Sequence, residues 1–172
     1  MTAGVILCAV LSACSAESNQ PLTLAQSKSP VQLLRNEAAG RVPADVVERV
    51  IREQDGSTAC RTPETDPEGL LRSWRSIIRF ELRRDASVDP QGVVDGLATS
   101  FVDDGWSQGT FGVASIVELT RPNSETQIHL SMKLPDEGAE AGGEVQLAVS
   151  GPCVMTLGAE SSEVTQLGEV VD

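Results

Sequence analysis

Apolar residues recur with two different periods along the chain, and the change of period sets out its elements. Ser29-Pro30 opens a helical pattern in which Val31, Leu34 and Ala38 fall on one face before Gly40 stops it. A second helical pattern is predicted from about Pro43 to Asp55-Gly56, with Val46, Val47, Val50 and Ile51 on one face and Asp45, Glu48, Arg49 and Arg52 on the other. Pro63, Asp66, Pro67 and Gly69 mark a loop. Residues 70–84 fit two templates. Leu70, Leu71, Trp74, Ile77 and Ile78 make a helical stripe, whereas Trp74, Ile78, Phe80 and Leu82 approach strand alternation against Arg75, Arg79, Glu81 and Arg83. The β-branched and aromatic content favours a strand over about 73–84.

Asp89-Pro90 supplies a capping carboxylate followed by proline, and Val93, Val94, Leu97, Phe101 and Val102 form the stripe of the helix that follows. Gly105 ends it, and Trp106 folds back onto the core. Three strands are then predicted. In the first, Phe111, Val113, Val117 and Leu119 alternate roughly; in the second, Ile128, Leu130, Met132 and Leu134 alternate with Gln127, His129, Ser131 and Lys133. The third carries Val145, Leu147 and Val149, and Gly151-Pro152 breaks it just before Cys153. From about Thr156 the chain is acidic and expected to fray. The fold class implied is α+β: a two-layer sandwich with an antiparallel four-stranded sheet in the order β-α-β-β-β, preceded by N-terminal helices. One face of that sheet is expected to be polar.

Before the first helix stands a short apolar run, Val5 to Leu11, followed by Ser12, Ala13 and Cys14. The run is too short to span a bilayer and suits the core of a signal peptide. Leu11-Ser12-Ala13-Cys14 resembles the lipobox of bacterial lipoproteins: an aliphatic residue, two small residues and the cysteine that takes the lipid. The resemblance implies cleavage before Cys14, acylation of that cysteine and an exported chain held on the outer face of the bacterial cell membrane by palmitate-type acyl chains. Residues 1–13 would then be the signal peptide, 14–29 the lipidated cysteine and a flexible tether, 30–155 the α+β domain and 156–172 a flexible acidic tail. Beyond the lipobox, Gly105-Trp106 after the main helix and Cys153 after the last strand are similar to the pattern of small actinobacterial lipoproteins that carry no assigned activity. Export also decides the remaining thiols. Cys8 leaves with the signal peptide and Cys14 is acylated, so Cys60 and Cys153 are expected to form a disulfide.

The chemistry on offer is sparse. Over 172 residues the net charge is −12 and no Lys/Arg cluster forms a phosphate-binding stripe, so nucleic acid is a poor partner. The arginines at 72, 75, 79, 83 and 84 are interleaved with hydrophobic residues and read as one face of an element. His129, the single histidine, sits among the outward positions of its strand, which leaves no multi-histidine metal site. Asp103-Asp104 at a helix C-terminus, and Asp136-Glu137 with Glu140, could at most hold a weak calcium site. No nucleophile elbow or phosphate-cradling loop occurs, and aromatics are only 3%, which removes stacking surfaces. No cofactor is expected. Three functions stay open: a non-enzymatic envelope module that binds another protein through the exposed sheet face, a carrier holding a small apolar or lipid ligand among Phe101, Trp106, Val117 and Leu130, and an enzyme built on paired carboxylates. The first is the reading adopted.

Overall fold

A computed structural model describes residues 21–85, 89–110, 116–137 and 142–170. The first helix, α1, spans Leu24–Gly40. Its start is a capping box: the Thr23 hydroxyl accepts from the Gln26 amide, and the Gln26 side chain accepts from the Thr23 amide at 2.9 Å. Pro30 is therefore inside the helix, not at its start, and residues 24–29 belong to α1 instead of the expected tether. Leu24, Ser27, Val31, Arg35 and Ala38 form its buried stripe.

The second predicted helix is a strand. β1 spans Val47–Ala59 and pairs antiparallel with β2, Leu71–Leu82, which is the strand the alternation there favours. Two register shifts in β1, between Val47 and Arg49 and between Val50 and Arg52, add residues to the strand. Those extra residues space Val47 and Val50 three apart, which imitates a helical stripe.

Helix α2, Pro90–Asp103, matches its prediction at both ends. Asp89 accepts from the Gly92 amide at 2.8 Å, and the Gly105 and Trp106 amides bond back to Val102 and Phe101. Gly105 has φ +86°, which glycine alone adopts cheaply, and the closure brings Trp106 edge-on to Phe101 with ring centroids 5.6 Å apart. Val102, placed on the apolar stripe by spacing, is instead exposed.

β3 is Ser107–Thr110, β4 Ile116–Thr120, β5 Gln127–Lys133, β6 Glu144–Ser150 and β7 Val154–Met155. β5 and β6 fall where alternation put them. Phe111 and Val113, expected in a strand, lie outside the described residues. Among the described residues the sheet thus has seven strands, not four, in the order β1-β2-β6-β5-β4-β3, with β7 also paired to β2. Every strand pair is antiparallel, and one isolated parallel bridge joins Ser57 to Glu169.

The acidic end does not fray over its described part. Thr156 is buried and its amide donates to the Leu70 carbonyl at 2.7 Å. A six-residue helix, α3 (Ser162–Leu167), buries Val164, and Val170 is buried against Ile77 and Ala148. Glu169 pairs with Arg72, whose side chain is otherwise enclosed. An arginine buried in this way is stable only while its partner holds it.

The three described helices contribute to one layer. Trp74, Ile78, Phe80 and Leu82 of β2, Val145, Leu147 and Val149 of β6, Ile128 and Leu130 of β5 and Leu119 of β4 turn toward them and form a single core with Val93, Val94, Leu97 and Phe101. Each fully buried aliphatic side chain there contributes about 1.5–3 kcal/mol relative to exposure.

The disulfide Cys60–Cys153 is formed, with a Cα–Cα distance of 6.2 Å. It joins the end of β1 to the start of β7, on either side of β2. Closing a 93-residue separation constrains the unfolded chain by about 4–5 kcal/mol in the chain-entropy description. Replacing both cysteines by serine should therefore lower the unfolding free energy by about that amount, measured by urea denaturation against the oxidised parent. A loss below about 1 kcal/mol would mean that the staple constrains little.

Candidate functional site

The sheet's second face is set by the same alternation that builds the core. Opposite Trp74, Ile78 and Phe80, strand β2 presents Ser73, Arg75, Ile77, Arg79 and Glu81. The register carries this face across the sheet. Arg49 stands opposite Glu81, Arg52 opposite Arg79, Gln146 next to both Arg79 and Ser131, and His129 between Ala148 and Glu118. Its buried apolar cluster is Ile77, Ala148 and Val170, and Ile116, opposite Ser131, adds an exposed apolar side chain from β4. No described helix lies over it.

Arginines dominate the centre of the face. The Arg79 guanidinium donates to the Gln146 side-chain oxygen from Nε at 3.1 Å and Nη2 at 2.6 Å, with Nη1 3.6 Å from Glu144. Arg52 donates from Nε to the Gln54 side-chain oxygen at 3.0 Å. Arg49 pairs with Glu81 at 3.0 Å. Two hollows open beside these groups. A shallow one of about 240 Å³ is lined by Arg79, Ser131, Lys133, Glu144 and Gln146. A larger groove of about 670 Å³ runs to the disulfide and includes Thr58, Ser73, Arg75, Glu125, Gln127, Ser150 and both cysteines.

The residues singled out from the sequence do not assemble into one site. His129 sits on this face in β5, beside Glu118 and Ala148. Asp104 is tied at 2.6 Å to Arg41, which also reaches Glu37 and offsets the unfavourable charge at the C-terminus of α2. Asp136 faces Lys133 at 3.5 Å, while Glu140 and Cys14 lie outside the described residues. Among the described residues no three His, Cys, Asp or Glu side chains gather as a metal site. The four residues proposed for an apolar ligand are packing: Phe101 and Leu130 are wholly buried, and the Arg41 guanidinium covers the Phe101 ring at 4.0 Å. No described helix is long and apolar enough to cross a membrane.

The arginine face has no local signature in the sequence. The spacing of 43–56 predicts a helix for Arg49 and Arg52, and that of 72–84 places all its arginines on one surface. Arg72 is in fact buried on the helix side, hydrogen-bonded to Ser57, while Arg75 and Arg79 point the other way. The alternation within Leu71–Leu82 carries that signal, but the pairing with β1 does not appear in any local period.

Two carboxylates in the β1–β2 loop ionise more readily than usual. Asp66 accepts from the Leu71 amide at 2.8 Å and the Leu70 amide at 3.0 Å, and these bonds, Leu71's first, hold its carboxyl below the ordinary range. Glu64 is lowered chiefly by the Thr62 hydroxyl. A lowered acid is a poor proton donor and a weak base at neutral pH, so the pair orders its own loop instead of doing acid–base work. The sign of the pH effect follows. Because the folded-state value is depressed, Asp66 stabilises the loop at pH above the unfolded carboxylate range and loses that contribution as pH falls through its folded value. Amide exchange at Leu70 and Leu71 should accelerate toward acid beyond the intrinsic trend, and Asp66→Asn should remove the extra acid dependence. Identical pH profiles for the two proteins would refute this role.

No protein-family model, no curated protein and no solved structure matches the chain, which leaves the open face defined by its own residues.

Proposed function

We propose that the protein is an exported lipoprotein, anchored through Cys14, whose domain is a non-enzymatic binding module that engages an envelope protein with its open sheet face. The observation that carries the binding role is the asymmetry of the sheet. One face is closed by helices over a continuous core, while the other displays hydrogen-bonding side chains and two hollows with no described helix above them. Rigid strands hold these groups in fixed positions, so a partner meets a preformed surface and little ordering is needed on binding. The disulfide at the groove's edge suits an oxidising compartment, in agreement with export. The anchor rests on the Leu11-Ser12-Ala13-Cys14 pattern.

The lipid reading has a direct test. In cells expressing the full chain, Cys14→Ala should abolish incorporation of labelled palmitate and shift the protein out of the membrane fraction or leave it unprocessed. A variant that still takes up label and fractionates with membranes at the parental mass would refute the anchor. The binding role is tested separately, by placing a photo-crosslinking residue at Ser131 on the open face and another at Thr99 on the exposed side of α2. A discrete adduct from Ser131 and none from Thr99 is the expected result; adducts from Thr99 alone would move the interface to the helices.

A further inference from the structure

One corner of the open face is filled by the protein itself. Residues 168–170 run beside the outer edge of β1, joined to it by an isolated parallel bridge in a sheet whose strands are otherwise antiparallel. The Ser57 amide donates to the Gly168 carbonyl and the Val170 amide to the Ser57 carbonyl, both at 2.9 Å. The sheet fits this short segment in three ways. Gly56 leaves room for its backbone, since a Cβ there would stand 3.0 Å from the Glu169 carbonyl carbon and the Val170 nitrogen. The buried Arg72 pairs with the Glu169 carboxylate. Ile77 and Ala148, buried on the open face, take the Val170 side chain. Glu169 and Val170 thus turn to opposite sides, as successive residues of a strand do. The seat reads an extended backbone that carries an acid followed by an aliphatic residue.

The protein's own segment uses this seat only in part. α3, which leads into it, has six residues, too few for a helix to hold without packing, and it fully buries one side chain, Val164. Gly168, at φ +84°, turns the chain away from α3, so the ladder with β1 is a single bridge at Ser57. The alternation that points the Ser57 backbone outward does the same for Asp55 and Glu53. Among the described residues, neither of these makes a backbone bond across the outer edge. We infer that residues 168–170 are a displaceable plug in a strand-docking seat on β1. Its occupant is an extended segment of a partner protein, parallel to β1, with an acid for Arg72 followed by an aliphatic residue for Ile77 and Ala148. Such a segment continues the ladder at Asp55 and Glu53, which the helical residues before Gly168 cannot do. Exchange of the same segment with a second copy would only reproduce the contacts already made within one chain. The inference rests on the open face being the binding surface, because Val170 lies on it, and is independent of lipid on Cys14.

The test uses the full-length protein, disulfide intact, in non-ionic detergent, with fluorescence anisotropy as the readout. The probe is the labelled peptide TVTGEVVD, which keeps residues 168–172 and replaces the helical residues before them by strand formers. The control peptide TVTGQDVD lacks the acid and the aliphatic residue that follows it. The parent should bind the probe about tenfold or more tightly than the control, because an unpaired Arg72 and an unfilled apolar patch each cost affinity. Val170→Asp releases the protein's own segment and should tighten probe binding by about tenfold, since the seat is then no longer filled in cis. Adding Gly56→Val should abolish that gain. Retained disulfide and near-ultraviolet circular dichroism would show that each variant is folded. Should Val170→Asp not fold, amide exchange in the parent serves in its place: the Ser57 and Val170 amides should exchange through local opening, about tenfold or more faster than those of β6. Equal affinity of the parent for probe and control would overturn the inference. So would a folded Val170→Asp variant that binds no more tightly than the parent, or Ser57 and Val170 amides that exchange only together with β6. A parent that is dimeric and is dissociated by the probe would overturn the choice of partner in favour of a second copy. Crosslinking at Ser131 reads the open face separately. An adduct there beside failed probe binding removes the seat alone, and probe binding without the adduct removes the sheet centre alone.

Discussion

β2 has to satisfy both of its edges and both of its faces. β1 bonds along one edge; β6 and then β7 share the other. One face carries Trp74, Ile78, Phe80 and Leu82 into the core beneath α1, and the other carries Arg75 and Arg79 into the open surface. Moving the pairing by a single residue would exchange these sets, burying guanidinium groups and exposing the core. The register of β2 is therefore specified by a large energetic penalty. The disulfide acts at this point, since it joins β1 to β7 across β2. Arg72 adds a second lock: it bonds to Ser57 on β1 and to Glu169 in the last described segment, tying the chain's C-terminal turn to the central strand.

That dependence explains how much of the fold could be read locally. α2 is legible because each of its signals is local: the Asp89 cap, Pro90 and the Gly105 closure all lie within a few residues of the helix they bound. β5 and β6 are legible because each strand alternates without interruption. β1 is not, because its two register shifts convert a period of two into spacings of three and four. The distinction between strand and helix there is made by β2, which supplies eleven paired positions, and not by the residues themselves. The start of α1 was local and still passed over. Thr23 and Gln26 are the signal, but Pro30 offers a competing one, and a proline in the second turn of a helix is tolerated when the cap and the buried stripe outweigh one lost backbone bond. The C-terminal segment was read as fraying from its acidic composition. Its order depends on contacts with distant residues, chiefly Leu70, Ser57 and Arg72.

The candidate surface shows the same division. The disulfide was legible through the lipobox resemblance, because removing Cys8 and Cys14 leaves one pairing. The arginine pair was not, because Arg52 and Arg79 are 27 positions apart in the sequence and meet only through the β1–β2 ladder. Composition masked it further. A net charge of −12 averages over the whole chain, and arginines gathered on one surface are visible only once the pleat has sorted residues onto two faces.

Sorting by the pleat also bears on why Arg52 and Arg79 are tolerated side by side at the sheet centre. Two opposed arginines on an open face cost no more than about 1 kcal/mol, because solvent screens them. The core beneath Trp74, Leu147 and Phe101 exceeds that cost many times over. The fold can therefore hold guanidinium groups side by side on its outer face. The same pair on the helix side would not survive, because buried like charges cannot be screened. The one arginine of β2 that does turn inward, Arg72, has a carboxylate and a hydroxyl waiting for it. Stability thus accounts for the polar contacts on the inner face, and on the outer one Gln146 and Glu144 hold the Arg79 guanidinium in place.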